Sequence, residues 1–436
     1  MSNRELEALQ QLLAEFATSE QSLPRGRLPR LGRLAAAGAR LALAGGVGSS
    51  LDAVNAAALA RSLASLKGLP MKVGQMLSYI DDSLPTEARA VLGALRTQAP
   101  PTPFPEIEAR VRAELGERAA GLLAGLDPKP IATASIGQVH RGRLPDGTDV
   151  AVKVRHPGIE QALRADLAQA AIGRQVARLM APGANVGAVA AELEARLFEE
   201  CDYALEAARQ ARFAEWFEHD PVIVVPRVFP MWCGPGVLVT EFIQGESWEQ
   251  FLSRNPAQEE RDVVGQALYR FFIGTLYRRG VLAADPHPGN FVFMPGRRVA
   301  VLDYGSLREF ETATVAGLRG LSEAVRADDG ARIRELLVEL GVRLSKTRPS
   351  DGAQAEAFAR GFLAPVIEPG VRVMRAATTL AARDLFRSKR TMLRLNLPPA
   401  ELLLLLRIRF GLYAVLEQLG ARCDWAELEA ELASSA

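Results

Sequence analysis

Two acidic residues in the second half of the chain lie in a pattern that packing alone does not require. Asp285 opens the run DPHPGN, which ends at Asn290. A short apolar strand is expected over 291–293, then a Pro-Gly turn, then a second strand over 299–302 that leads directly into Asp303 of a D-Y-G run. The pattern predicts a tight hairpin with two carboxylates and one carboxamide next to it in the sequence.

In kinase-like folds this order of groups builds a magnesium–nucleotide site. There the loop aspartate faces the nucleophile, while the asparagine and the second aspartate hold the metal over the phosphates. On this interpretation Asp285 is a catalytic residue, and Asn290 and Asp303 are metal ligands.

Length and composition narrow the class of protein. A chain of 436 residues permits two or three packed units with a large core. A net charge of +1 gives no electrostatic argument for a nucleic-acid partner. The three cysteines, Cys201, Cys233 and Cys423, are too few and too scattered for a disulfide framework, which predicts a reducing compartment and no disulfide partner.

Two apolar stretches, 34–50 and 402–416, raise the question of membrane association. Arginines interrupt both, and neither reaches the roughly 20 apolar residues that a span needs. We predict a buried helix for the second, while the first is either a helix on a membrane surface or a plain connecting helix. The N-terminus is acidic and amphipathic, unlike a signal peptide, so we expect a cytoplasmic protein, with or without peripheral membrane contact.

The hydrophobic period predicts three segments: a helical extension over 1–125, a β-rich lobe with a helical insertion over 126–243, and a helical lobe over 244–436. In the β-rich lobe, strands over 139–143 and 150–154 flank a Pro-Asp-Gly turn. A smaller β-rich lobe followed by a larger helical lobe predicts an α+β, protein-kinase-like two-lobed fold with an N-terminal helical extension.

Before the first of these strands lies the run IATASIGQV, which reads A-x-A-x-x-G-x-V against the kinase loop G-x-G-x-x-G-x-V. Its candidate nucleotide-binding residues are Ala132, Ala134, Ser135 and Gly137. Methyl groups occupy two of the three glycine positions, so we expect a stiffer loop with a changed approach to phosphates. Taken alone, the run is more typical of an ordinary strand and turn.

Lys153 lies in the apolar strand AVKV, where an ammonium group needs a partner or a path to solvent. It is one of only six lysines in the chain. A predicted helix over 188–218 offers carboxylates: Glu199, Asp202 and Glu206 share one face, and Glu200 lies on the next. A solvent-facing lysine and a solvated acidic helix face are the open alternatives.

A third candidate group lies in the helical extension. Lys72 and Gln75 of the run KVGQ are three residues apart on a predicted helix whose other face is apolar. By itself this pair is typical of a helix surface.

Together these motifs resemble the UbiB-like atypical kinase family, also called aarF-domain kinases, which is associated with coenzyme Q biosynthesis. The resemblance covers roughly residues 60–415. The motifs that carry it are LKGLPMKVGQMLS, ATASIGQVHRG, VAVKVRHPG, EECDYALEA, ADPHPGNF and VLDYG. The ECDY form and the QMLS run are more similar to the mitochondrial-type coenzyme Q group than to bacterial members with C-terminal membrane spans.

The resemblance implies a kinase-like fold in which the KxGQ helix covers the usual protein-substrate site. Lys72 and Gln75 then face the nucleotide pocket. Glu200 and Asp202 belong to the family's ExD motif, so they too are expected to bind the cofactor.

The resemblance also implies ATP and Mg²⁺ as cofactors, and Asp285 and Lys153 as catalytic groups. Glu206 is expected to pair with Lys153, while Glu241 and Ile243 fall where the interlobe hinge would contact adenine. Oxygen ligands such as those of Asn290 and Asp303 suit Mg²⁺.

Several features depart from ordinary protein kinases. Ala283 lies two residues before Asp285, where many kinases have histidine, and the Asp-aromatic-Gly run contains Tyr304 instead of phenylalanine. No Ala-Pro-Glu motif follows, and about fifty residues separate Lys153 from Glu206. These departures argue against general phosphorylation of protein hydroxyls.

Three functions compete on the sequence. The first is an ATPase or unorthodox kinase that acts with lipid or isoprenoid-quinone intermediates, and the second is a small-molecule kinase of the aminoglycoside-phosphotransferase type. The third is a catalytically silent pseudokinase that binds nucleotide to switch a partner complex. Mg²⁺-dependent nucleotide binding with slow hydrolysis is the expectation of the first.

Overall fold

The computed structural model describes residues 101–134, 136–164, 198–342, 349–374 and 400–434. These residues form two compact units. Unit 1 comprises the described residues up to Ala208 together with Arg227–Phe242, and unit 2 comprises Arg209–Pro226 together with the described residues from Ile243 onward. The three-segment division expected from the sequence stays a prediction.

The elements are numbered along the chain. The helices are α1 (Phe104–Leu115), α2 (Ala119–Leu123), α3 (Tyr203–Trp216), α4 (Trp248–Ser253), α5 (Gln258–Tyr269), α6 (Thr275–Arg279), α7 (Thr312–Arg326), α8 (Gly330–Glu339), α9 (Pro349–Leu363), α10 (Ala400–Leu419) and α11 (Trp425–Ser434). The strands are β1 (Leu126–Thr133), β2 (Gly137–Arg143), β3 (Asp149–Arg155), β4 (Ile223–Val224), β5 (Val237–Glu241), β6 (Val281–Ala283), β7 (Phe291–Met294), β8 (Arg298–Val301), β9 (Leu307–Glu309), β10 (Val371–Val373) and β11 (Arg422–Asp424). A π-helical turn, Arg270–Gly274, joins α5 to α6.

Unit 1 is built on an antiparallel sheet of four strands in the order β1-β2-β3-β5. Helix α1 buries Ile107, Val111 and Leu115, which recur at helical spacing, in one cluster with Val150 and Val152 of β3. Strand β3 is therefore hydrogen-bonded on both sides and covered on one face.

The sequence predicts only a segment boundary near 125 where the structure has strand β1. Pro128 and Pro130 lie within this strand, and its pairing with β2 is irregular between Leu126 and Ala132. Because β1 is the edge strand of the sheet, proline removes no interior ladder hydrogen bond there. Because Pro128 and Pro130 are typical of turns and linkers, the sequence pattern does not predict this edge strand.

The helix predicted over 188–218 is not continuous: residues 198 and 199 are helical, but the helix is interrupted at 200–202. Helix α3 begins at Tyr203, and the Asp202 side chain accepts hydrogen bonds from the backbone N–H groups of Ala204 and Leu205, at 3.0 and 3.1 Å. Asp202 is thus the N-cap of α3, so Glu199, Asp202 and Glu206 do not share one helix face.

Unit 2 is mainly helical around a large apolar core. The predicted hairpin is confirmed as β7 and β8, and β4 pairs with β8 in parallel. Gly296 and Arg297 have positive φ angles of 79° and 62°, as the tight turn between the two strands requires. Strands β6 and β9 pair with each other, as do β10 and β11, in two separate two-stranded sheets. Their length of three residues leaves no alternation for a sequence pattern to detect.

The apolar stretch 402–416 is confirmed as part of a buried helix, α10. Leu412 and Leu416 are fully buried. Arg409 is almost completely buried and forms an ion pair with Glu429 of α11. No described helix is both long enough and apolar enough to cross a membrane. The other stretch, 34–50, lies outside the described residues.

Candidate active site

Lys153 and Glu206 form a close ion pair inside unit 1. The Lys153 ammonium donates to both oxygens of the Glu206 carboxylate, at 2.8 and 2.9 Å. The Glu206 side chain is only 2% exposed, whereas that of Lys153 keeps 25% of its surface. The ammonium also lies 4.9 Å from the centre of the Tyr203 ring. Of the two candidate glutamates, Glu206 is the partner, as the resemblance implies.

Local structure explains why these two groups meet. Lys153 lies on β3 between Val152 and Val154, which are both fully buried. Successive strand side chains alternate between faces, so Lys153 projects from the face opposite to the one these valines pack into. Glu206 is in the first turn of α3, behind the Asp202 cap. A buried carboxylate paired in this way holds the ammonium at a fixed place on the sheet.

The alanine-rich loop joins β1 to β2. Its turn is closed by a hydrogen bond from the Ala134 amide to the Gly137 carbonyl, at 2.7 Å, and Ala132 pairs with Val139. Ala132 and Ala134 are both exposed, so their methyl groups face solvent and not the sheet. Ser135, which the sequence also indicates, lies outside the described residues.

Gly137 has no room for a side chain. A Cβ atom there would lie 2.6 Å from the Val154 carbonyl oxygen and 2.4 Å from the Tyr203 hydroxyl. The Val154 carbonyl belongs to the backbone of β3, the strand that carries Lys153, so it cannot move without disturbing that strand. The glycine is required by close approach of the chain.

Gly137→Ala should therefore destabilise unit 1 by about 1–3 kcal/mol, the usual cost of overpacking. Gly142→Ala in the same strand is the matched control, because a Cβ there would meet only side-chain carbons, the nearest at 3.3 Å. Thermal unfolding of both variants checks this. Equal unfolding midpoints for the two variants would show that the β3 backbone shifts at little cost to accommodate the added methyl group.

A buried polar network supports the loop from below. The His156 Nε2 atom donates to the Ala134 carbonyl at 3.2 Å, and its Nδ1 accepts from the Thr102 hydroxyl at 2.7 Å. Gln138 bonds both the Thr102 backbone and His140 Nε2. Burial lowers the pKa of His140, which favours the neutral ring. The network fixes the carbonyl of Ala134, within the predicted nucleotide loop.

In unit 2 the loop between β6 and β7 brings Asp285 and Asn290 together. The Asn290 amide nitrogen donates to the Asp285 backbone oxygen at 3.1 Å and to its carboxylate at 3.3 Å. His287 caps the short 3-10 turn that contains Asn290 by accepting from the Gly289 amide. With its nitrogen engaged, Asn290 has its oxygen as the atom suited to bind a cation.

Asp303 follows the second strand of the hairpin. The Leu302 amide donates to the Asn290 carbonyl at 2.9 Å, which places Asn290 and Asp303 at the same end of β7 and β8. The Gly305 amide donates to one Asp303 oxygen at 2.9 Å. Tyr304 is fully buried and donates to the Val301 carbonyl. Carboxylate and amide oxygens at one hairpin end are the donor set that Mg²⁺ prefers.

The other candidate cofactor-binding residues differ in burial, and two of them lie outside the described residues. Glu241 ends β5 with an exposed side chain, and Ile243 is the first residue of unit 2 after that strand. Glu200 lies half-buried just before the α3 cap. Lys72 and Gln75 lie outside the described residues. The cofactor-binding roles of all these residues stay a prediction, as does the convergence of the lysine and the metal ligands on one nucleotide.

Two features of the site have no counterpart in the sequence predictions. One is the Thr102–His156 network, for which Gln138 and His140 at alternate positions of a strand are a weak signal, since they share one face. The other is Arg209, whose guanidinium donates to the Gly305 carbonyl at 2.8 Å. Among the many arginines of this chain nothing in the sequence distinguishes it.

Comparison with known proteins identifies the class. The family model described as the ABC1 atypical kinase-like domain matches residues 94–337, more than half of the chain. The chain therefore belongs to this family of atypical kinase-like proteins, and its fold is kinase-like and α+β as predicted.

The individual matches agree with this class. The mitochondrial atypical kinase COQ8 of Saccharomyces cerevisiae is 28% identical over 73% of this chain and 67% of its own length. The probable protein kinase UbiB of Pseudomonas fluorescens is 30% identical over 55% of this chain and 46% of its own length. The solved structure of an Rv3197–erythromycin complex from Mycobacterium tuberculosis matches with a TM-score of 0.64 and 30% identity, covering 85% of this chain and 93% of that one. The match to the UbiB protein thus spans about half of that relative.

Proposed function

We propose that this protein binds ATP with Mg²⁺ and acts as an atypical kinase or ATPase, in or alongside isoprenoid-quinone or lipid metabolism. The observation that carries the proposal is the Lys153–Glu206 ion pair in the strand and helix where kinases hold their phosphate-binding lysine. A lysine fixed by a buried carboxylate offers phosphate oxygens a positioned cation.

Each group has a definite role in the proposal. Lys153 binds the α- and β-phosphates, and Glu206 keeps its ammonium in place. Asp285 accepts the proton of the attacking hydroxyl or water, and its carboxylate is held by Asn290. Asn290 and Asp303 are the residues that would hold Mg²⁺. When bound, ATP supplies the phosphoryl group.

Nucleotide-induced stabilisation of the full chain tests the binding step. A ligand at 100 times its dissociation constant stabilises a protein by ~2.7 kcal/mol, which thermal unfolding detects readily. MgATP should raise the midpoint, and the measurement should be repeated with liposomes and with a quinone-headgroup analogue. Release of phosphate at a measurable rate favours an ATPase, whereas binding without turnover favours a pseudokinase.

Lys153→Ala should weaken ATP and ADP binding by about 10- to 100-fold, because a hydrogen bond to a charged group contributes about 1.5–3 kcal/mol. Adenosine binding should change far less, since it has no phosphates. Isothermal titration with adenosine, ADP and ATP measures the difference.

Lys129→Ala is the matched control, as Lys129 is an exposed lysine on β1 of the same unit. If the Lys153 and Lys129 variants bind ATP equally well, Lys153 does not bind phosphate and the proposal loses its main support.

A further inference from the structure

Gly305 is hydrogen-bonded to both Arg209 and Asp303 through its main-chain carbonyl and amide. Its carbonyl accepts a hydrogen bond from Arg209 Nη1 at 2.8 Å, and its amide donates to Asp303 Oδ1 at 2.9 Å. The arginine therefore holds the residue that in turn orients the carboxylate. All three residues belong to unit 2.

We propose that Arg209 is a positioning residue for the metal site: through the Gly305 carbonyl it fixes the orientation of the Asp303 carboxylate for a divalent cation. This rests on the proposed function, in which Asp303 is a ligand of Mg²⁺.

Helix α3, which carries Arg209, is packed against the Asp-Tyr-Gly run. Phe213, one turn further along, packs against the Tyr304 ring with centroids 5.1 Å apart. Phe213 and Tyr304 are both fully buried. One helix thus contacts two consecutive residues of the Asp-Tyr-Gly run, one through a ring and one through a carbonyl.

The chemistry of arginine fits this task. A guanidinium is permanently charged and planar, so its hydrogen bond to a neutral carbonyl is charge-assisted and persists at any ordinary pH. Its hydrogen bond fixes the peptide plane between Gly305 and Ser306. Asp303 accepts from the amide of the preceding plane, so the two restraints meet at the Gly305 Cα atom. Partners that orient a ligand without touching the metal commonly alter metal affinity 10- to 100-fold when removed.

The same helix provides a control. Arg212, three residues beyond Arg209, pairs with Glu309, whose side chain is 67% exposed. Replacing it removes the same charge from the same helix. Arg212 donates to Glu309 and, within the part of the chain that the structure describes, to no residue of the Asp-Tyr-Gly run.

The test titrates Mg²⁺ against the full chain at a fixed ATP concentration and follows the thermal midpoint. Arg209→Gln should raise the Mg²⁺ concentration for half-maximal stabilisation about tenfold relative to Arg212→Gln. Arg209→Lys should fall between them, because lysine keeps the charge but not the planar fork. ATP binding in EDTA should be alike in all three. Equal Mg²⁺ midpoints for the Gln variants would overturn the proposal.

Hydrogen exchange of the ligand-free chain separates this proposal from the proposed function. Arg209→Gln should speed amide exchange in the peptide that covers 303–306, while Arg212→Gln should leave it unchanged. If the unsubstituted protein binds no nucleotide, the proposed function fails but this result still decides whether Arg209 fixes the loop. Unaltered exchange in the Arg209→Gln variant would contradict the positioning role directly.

Discussion

Asp303→Asn is expected to abolish the Mg²⁺-dependent part of nucleotide stabilisation. Asparagine has nearly the same shape and keeps an oxygen that can accept from the Gly305 amide, so the loop should retain its hydrogen bond. The lost negative charge is what a hard divalent cation requires. At 100 times the dissociation constant, the loss amounts to ~2.7 kcal/mol of ligand-dependent stability.

The measurement is thermal unfolding with ATP in excess Mg²⁺ and in excess EDTA. Asp328→Asn is the matched control, because it makes the same substitution on unit 2 at a side chain that is 88% exposed. The Asp303 variant should unfold at one midpoint in both solutions, while the Asp328 variant should keep the difference. A full Mg²⁺ effect in the Asp303 variant would exclude this aspartate as the ligand.

Arg409→Met should lower the stability of unit 2 by about 3–5 kcal/mol, the cost of leaving a buried charge without its partner. Arg409 and Glu429 are 3% and 0% exposed, and the guanidinium lies 2.6 Å from the carboxylate. Tyr277 and Tyr269 also donate to Glu429, and burial raises the pKa of both hydroxyls, so they stay protonated donors. Two tyrosine hydrogen bonds cannot replace the lost cation.

The double variant Arg409→Met/Glu429→Gln should regain part of this loss, because neither charge is then buried alone. Arg332→Met is the control: its partners Glu335 and Glu339 are exposed, and such surface pairs contribute about 1 kcal/mol or less. Denaturant unfolding of the three variants gives the free energies. A loss below about 1 kcal/mol for Arg409→Met would mean that water reaches Glu429.

The sequence predicts those parts of the fold and site that depend on local pattern. The hairpin at β7 and β8 follows from short apolar runs around a Pro-Gly turn, and Gly296 adopts the positive φ that such a turn needs. Lys153 is conspicuous because an apolar strand rarely carries an ammonium, and its partner Glu206 follows from the family motif.

Other features depend on contacts that no local pattern encodes. Strand β1 is stabilised by pairing with β2 in spite of its prolines. In the sequence Asp202 resembles the other acidic residues of a predicted helix, whereas in the structure its side chain caps α3. The role proposed for Arg209 depends on a hydrogen bond to a carbonyl that is 96 residues away in the chain.

The most direct test of the account is isothermal titration of the full chain with ATP, in the presence of Mg²⁺ and again in EDTA. We predict saturable binding with one site, tighter in Mg²⁺ than in EDTA, because the proposed function assigns Asn290 and Asp303 to a Mg²⁺ ion that itself binds the phosphates. Absence of ATP binding in both solutions by a folded protein would contradict the account.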